Sequence, residues 1–235
     1  MTKAHLLAEA GSLEDIAEQA RHCRACDLYK RATQTVFGEG PNHAPLMLVG
    51  EQPGDKEDIA GKPFVGPAGK VLDRALADAG IERRKTYVTN AVKHFKFALR
   101  GKIRLHQKPN GPEIRACHIW LERERGILKP NLVIALGATA AQSVFGRAMP
   151  IGKNRGKILE LDDGGKATIT IHPSYLLRMK FRTAAETFGP APGNSSSQRN
   201  ARSTGQSCRK SRLMRPDRAR IMRNAARRWT ALSLA

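Results

Sequence analysis

Three short stretches hold more chemistry than a packed core requires. Gly50-Glu51-Gln52-Pro53-Gly54 follows an apolar run, Asn90 closes a second run, and His172-Pro173-Ser174 follows a third. The amide of Asn90 can offer a donor and an acceptor together, although a strand-end Asn in a turn is the plainer alternative. A neutral imidazole at His172 can donate to an oxygen on which negative charge develops, whereas a lone His is more often structural. Glu51 and Gln52 leave their strand over the same end, Glu51 as a proton acceptor and Gln52 to contact a ligand or order water. Phe64, between strand and helix, offers a stacking face or is an ordinary core ring.

A second group is made of soft donors. Cys23-x-x-Cys26 is joined far downstream by Cys117, and a fourth cysteine, Cys208, stands apart. In a reducing cytosol this spacing reads as a metal or redox motif before it reads as a disulfide, and it does not separate zinc from iron–sulfur. A third group is the stretch 93–108, with six Lys or Arg and no acid. Such a run is a solvated face or a set of phosphate contacts. His106 lies inside it, where fixed positive charge favours the neutral ring and keeps a nitrogen lone pair for attack.

The elements that must position these groups follow from pattern. Residues 12–22 read as a short amphipathic helix, 67–79 as a helix opened by Pro67 and stopped at Gly80, Pro112–Leu128 as a long helix, and 139–146 as a short one. Strands are expected at Pro45–Glu51, Thr86–Val92, Asn131–Ala138 and Lys166–Ile171. The stretch 93–110 lacks a clear period and reads as a surface loop. Strands alternating with helices predict a three-layer α/β/α sandwich around a central four-stranded parallel sheet. Ligands of such sheets bind beyond the carboxyl ends of the strands, which is where the three stretches fall. Gly66-Pro67-Ala68-Gly69-Lys70-Val71 is not a Walker-A loop, for it lacks the Ser/Thr and the leading Gly.

The chain has 235 residues, 40% of them apolar, which suits one domain with a tail. Its formal charge of +20 fits a polyanionic partner, since each cation that meets a phosphate releases a counterion. The domain is expected over 1–181. Residues 182–235 read as a basic, low-complexity tail with a possible helix around 216–229. No secretory signal or membrane-spanning run is evident, so a cytoplasmic location is expected.

Gly50-Glu51-Gln52-Pro53-Gly54-Asp55-Lys56-Glu57-Asp58, Pro63-Phe64-Val65-Gly66-Pro67-Ala68-Gly69 and His172-Pro173-Ser174-Tyr175-Leu176-Leu177-Arg178 resemble the family 4 uracil-DNA glycosylases. Gln52 and the insertion Arg100-Gly101-Lys102-Ile103-Arg104-Leu105-His106 resemble its UdgX branch, which becomes covalently attached to DNA where uracil was excised. The resemblance spans roughly residues 12–180. It implies uracil-containing DNA as partner, single-stranded in preference, and a monomeric protein. It implies stacking by Phe64, base reading by Asn90, contact with the flipped nucleotide by Gln52, leaving-group stabilisation by His172, and capture of C1′ by His106 with Glu51 taking the proton. Lys102, Arg104, Ser174 and Arg178 become DNA contacts. The family's fourth cysteine is replaced here by His94, so Cys23, Cys26, His94 and Cys117 are implied as ligands of a 4Fe–4S cluster, with zinc as the alternative. Two other readings remain: a turning-over glycosylase in which water replaces His106, and a metal-stapled DNA-binding module without catalysis. In relatives a closing helix follows the His-Pro-Ser motif; here Thr183–Phe188 gives at most one turn.

Overall fold

The computed structural model describes residues 11–178. The tail 182–235, Cys208, the helix read at 216–229 and the side chain of Arg178 lie outside the described residues. Helix α1 (Leu13–Arg21) is opened by a reciprocal pair in which Ser12 Oγ accepts from Asp15 N–H and Asp15 accepts from Ser12 N–H. Strand β1 (Leu46–Gly50) is followed by helices α2 (Asp55–Ala60) and α3 (Pro67–Asp78), and then by β2 (Thr86–Asn90). A hairpin of β3 (Phe97–Arg100) and β4 (Ile103–His106) leads to the long helix α4 (Gly111–Leu128). Then come β5 (Leu132–Leu136), α5 (Ala138–Phe145), the short α6 (Ile151–Asn154), β6 (Ile158–Glu160), β7 (Lys166–Thr170) and α7 (Pro173–Arg178).

The sheet runs β2-β1-β5-β7-β6. Its first four strands are parallel, as their pattern predicts, and β6 adds an antiparallel edge against β7. The sheet therefore has five strands, not the expected four. With three residues and an exposed Ile158, β6 carries too little alternation to stand out in the sequence. Successive strand residues face opposite ways, and this sorts the core into two layers. Met47, Val49, Val133, Ala135 and Ile169 pack with Ile16 of α1, Leu121 of α4 and Val144 of α5. Leu46, Leu48, Val88, Ile134 and Leu136 pack with Leu72 and Leu76 of α3 on the other side. Three layers result, as expected for a mainly parallel sheet buried on both faces. Among the described residues no helix is long and apolar enough to cross a membrane.

The second departure is at 93–110. Phe97 pairs with His106 and Arg100 with Ile103 across a two-residue turn, Gly101-Lys102. Gly101 has φ +60°, the left-handed value that primed hairpin turns require at that position. Charges at Arg100, Lys102 and Arg104 hide the alternation of Leu99, Ile103 and Leu105 around that turn.

Candidate active site

Four parallel strands deliver their carboxyl ends to one edge of the sheet. Gly50 ends β1 directly beside Asn90 at the end of β2, because the two are register partners. Next along, Gly137 N–H donates to Thr170 O at 2.8 Å, joining the exits of β5 and β7 and bringing His172 alongside.

Gly50 is the floor of the resulting recess. A Cβ at that position would lie 2.3 Å from Asn90 Oδ1 and 2.6 Å from Phe64 Cζ, so only glycine lets the amide and the ring converge. Phe64 itself has φ +56°, costly for an aromatic residue by about 1–3 kcal/mol. It is held there by neighbours. Gly69 in the first turn of α3 comes so close that a Cβ would fall 1.7 Å from Phe64 O. Glu57, buried beneath, accepts from Gly66 N–H at 2.7 Å and from Gly54 N–H at 3.1 Å and so binds the two flanking loops together. The Phe64 ring stacks on His172, centroids 6.1 Å apart at 30°.

His172 has a defined tautomer. Ser174 N–H donates to its Nδ1 at 3.1 Å, with Ser174 Oγ 2.8 Å from the same nitrogen. A nitrogen that accepts a backbone N–H carries no proton, so the neutral ring holds its hydrogen on Nε2. Ser174 thus acts on the histidine, in addition to the DNA contact assigned to it by resemblance.

Across the recess stands the hairpin. His106 Nε2 lies 3.3 Å from Glu51 Oε1, and Thr139 Oγ1, at the start of α5, donates to Glu51 Oε2. Burial pushes the Glu51 carboxyl up, but hydrogen bonds from His106 and Thr139, with the nearby charge of His106 and His172, more than offset it. The net position is below the ordinary carboxylate value. His106 therefore meets an acid, where the sequence suggests surrounding cations.

Two anchors hold the hairpin against the body. The Gln52 amide donates to Lys96 O and Gln107 O, each at 3.1 Å, and accepts from Lys96 N–H at 3.2 Å. Its hydrogen bonds brace the root of the hairpin. Arg104 Nη1 donates to the fully buried carboxylate of Asp58 and to Thr33 Oγ1 at 2.6 and 3.1 Å, and its Nε donates to Asp55 at 2.6 Å. The guanidinium also lies over the rings of Phe95 and Phe97.

The basic run consequently divides. Lys93 is buried, Lys96 pairs with Glu113 at 2.9 Å, and Arg104 is tied to Asp55 and Asp58. Arg100, Lys102 and Lys108 stay on the surface, at the hairpin tip and base. For Thr139, Asp55, Asp58, Glu57 and Gly50 the sequence assigns no individual role, even where their motif stands out. Their partners lie up to 88 positions away, and no local signal links them.

The soft donors gather behind β2. Cys23, Cys26 and Cys117 share one cluster with Leu28, Val92, Ile114 and Trp120. Trp120 Nε1–H donates to Cys23 Sγ at 3.3 Å and Lys93 N–H to Cys117 Sγ at 3.2 Å, the kind of donor that supports a ligating thiolate. Burial pushes the Cys117 thiol up to about 12, so near neutrality it stays protonated unless a bound metal displaces the proton. His94 is held by Thr35 Oγ1, 2.9 Å from Nε2, and burial keeps it below the usual histidine value, hence neutral. Among the described residues no three of these side chains converge closely enough to chelate a single ion. The donor chemistry fits a soft metal group.

A mainly parallel sheet covered on both faces thus places an amide, a ring and an imidazole together at its strand exits. The chain belongs to the uracil DNA glycosylase superfamily, whose family model matches residues 37–191. It is similar to the Type-4 uracil-DNA glycosylases of Archaeoglobus fulgidus and Thermotoga maritima, with 36% and 38% identity over 173 and 167 residues, each match covering 71% of this chain and 83% of the relative. The Type-4 enzyme of Pyrobaculum aerophilum is 36% identical over 173 residues, covering 71% of this chain and 85% of its own.

Proposed function

We propose that this chain excises uracil from DNA and then captures the exposed sugar through His106, in the manner of the UdgX branch. The observation that carries the reading is the convergence of Asn90, Phe64 and His172 at one strand edge, with the His106–Glu51 pair facing them. A uracil extruded from the stack rests on Phe64, while the Asn90 amide accepts from N3–H and donates to O4. His172 donates from Nε2 to O2 as the C1′–N1 bond breaks and its electron pair leaves with the base. C1′ is left oxocarbenium-like. One ring nitrogen of His106 supplies the pair for a new C1′–N bond, and the proton on its other nitrogen passes to Glu51. The neutral imidazole adduct has a poor leaving group and persists. The exposed cations of the hairpin suit the phosphates of DNA without reading sequence, and a single strand, whose bases are already unpaired, gives up its base at least cost.

The decisive test is a denaturing gel after incubation with a uracil-containing oligonucleotide. A band that survives boiling in SDS with uracil-DNA, and none with thymine-DNA, supports capture. Free uracil with an abasic product and no shifted band identifies a conventional turning-over glycosylase. Salt-sensitive binding without excision identifies a binding module.

Glu51 is the proton acceptor of capture, and its depressed position keeps it ionised through neutral pH. Glu51 should therefore not limit adduct formation above the ordinary carboxylate range of about 4. Attack also needs a lone pair on the imidazole, so a fall on milder acidification belongs to the nucleophile. Single-turnover gels across pH check this: a profile level down to about pH 4 would mean that a neutral imidazole is not the nucleophile.

Gly50→Ala should abolish uracil excision while leaving the circular dichroism spectrum unchanged, because its methyl group displaces Asn90 and Phe64 but no secondary structure. Retained excision by a folded Gly50→Ala protein would show that the two do not form the recess.

Cys23, Cys26, His94 and Cys117 are the proposed ligands of a 4Fe–4S cluster, which when bound supplies a strong cross-link among α4, the α1 exit and the chain after β2. Fresh protein should be brown, with a broad band near ~400 nm. Cys117→Ala should lose metal and solubility together. A colourless preparation with stoichiometric zinc would replace the cluster with the alternative metal.

A further inference from the structure

Lys93 and Glu124 form a buried ion pair that the reaction above does not use. Their side chains are 1% and 0% exposed, with Nζ 2.7 Å from Glu124 Oε2. All three hydrogens of the ammonium are placed, the others going to Thr89 Oγ1 at 2.6 Å and Asn90 O at 2.9 Å. Glu124 in turn accepts from Tyr87 and Thr89 hydroxyls, each at 2.9 Å. The backbone of Lys93 donates to Cys117 Sγ at 3.2 Å and accepts from Val36 N–H at 2.8 Å.

Stability alone does not explain such a pair. Taking two charges out of water costs several kcal/mol per ion, and apolar replacements of similar volume are often as stable. What an apolar pair lacks is a fixed donor for the Asn90 carbonyl. The β1–β2 ladder continues past Asn90 through Ala91 N–H to Gly50 O and Val92 N–H to Glu51 O, while the Asn90 carbonyl turns to Nζ. The peptide plane that aims the Asn90 amide is thus gripped from below by Lys93. The same residue's N–H rests on a proposed cluster ligand.

We propose that the Lys93–Glu124 pair is a positioning device that orients Asn90 for reading uracil and joins it to the Cys117 side of the soft-ligand pocket. The inference rests on Asn90 as the base reader. Neither residue touches substrate; both act through β2.

The test is the double variant Lys93→Met/Glu124→Gln, which removes both charges and nearly keeps both shapes. Four quantities are measured: thermal midpoint, iron and sulfide content, the inhibition constant of free uracil, and kcat and KM on uracil-DNA for any released product. The inhibition constant does not depend on the active fraction, so a merely structural lesion leaves it unmoved. The double variant should keep its midpoint within a few degrees and its metal content, while the uracil inhibition constant rises about tenfold. Should that variant fail to fold, Thr89→Val, which removes one hydroxyl and keeps both charges, should raise the constant about threefold with metal content intact. An unchanged inhibition constant in a folded variant overturns the proposal, whether or not total activity falls. Wild-type protein that neither excises nor binds uracil overturns both the proposal and the reading beneath it.

Discussion

Protein carrying His106→Gly is expected to release free uracil from uracil-DNA and leave an abasic site, with no band surviving boiling in SDS. The groups assigned to bond cleavage in the proposal stay in place, because Asn90, Phe64 and His172 are held by strand exits and loops outside the hairpin. His106 lies on a hairpin strand with its side chain half exposed and does not belong to either main core layer. Its removal opens C1′ to water without opening a cavity. Excision should therefore continue at a rate of the same order, now with turnover. An adduct that persists in His106→Gly would place the nucleophile elsewhere. A variant that releases no uracil would mean that His106 also serves bond cleavage.

Asn90→Ala should reduce uracil excision by about 10²–10⁴-fold, as two edge contacts with a base buried against Phe64 go unmatched at about 1–3 kcal/mol each. On this assignment discrimination against cytosine comes from the same amide, since cytosine presents the reverse donor–acceptor order. The loss should appear equally in adduct formation by otherwise wild-type protein and in turnover by the His106→Gly background, because recognition precedes both. Near-normal excision by Asn90→Ala would remove the recognition assignment, and with it the role inferred for Lys93.

How legible this was depends on whether a signal is local. Strands β1 and β5 are apolar runs and β2 and β7 are rich in β-branched Thr, Val and Ile, with turn residues after them, so the residues at their ends can be named from the same runs. The three motifs of the resemblance led to the right family. The hairpin does not stand out in the sequence because its period-2 pattern alternates with arginines and lysines, so that polarity masks register. Lys93 is the clearest case. Its type and its basic neighbours place it on a wet surface, yet Glu124, 31 positions on, brings it into the interior. Arg104 is similar, an apparent phosphate contact held by two aspartates from α2. Sequence gives the charge of such residues; only the fold gives the partner. Glycine's role at Gly50 was also out of reach, for nothing local says that an amide and a phenyl ring will meet there.

The hairpin β3–β4 shares no ladder with the main sheet. Its fastenings are Gln52, Asp55, Asp58 and Thr33, all from the first sixty residues. On the proposed mechanism, base removal and sugar capture fall on separable parts of one body, joined by Glu51 at the β1 exit. A lineage could then acquire or discard such an arm by changing some ten residues and a few fastenings, leaving the strand exits intact. An engineer could transplant the same arm onto a relative that lacks it, with retention of the fastenings as the condition for success.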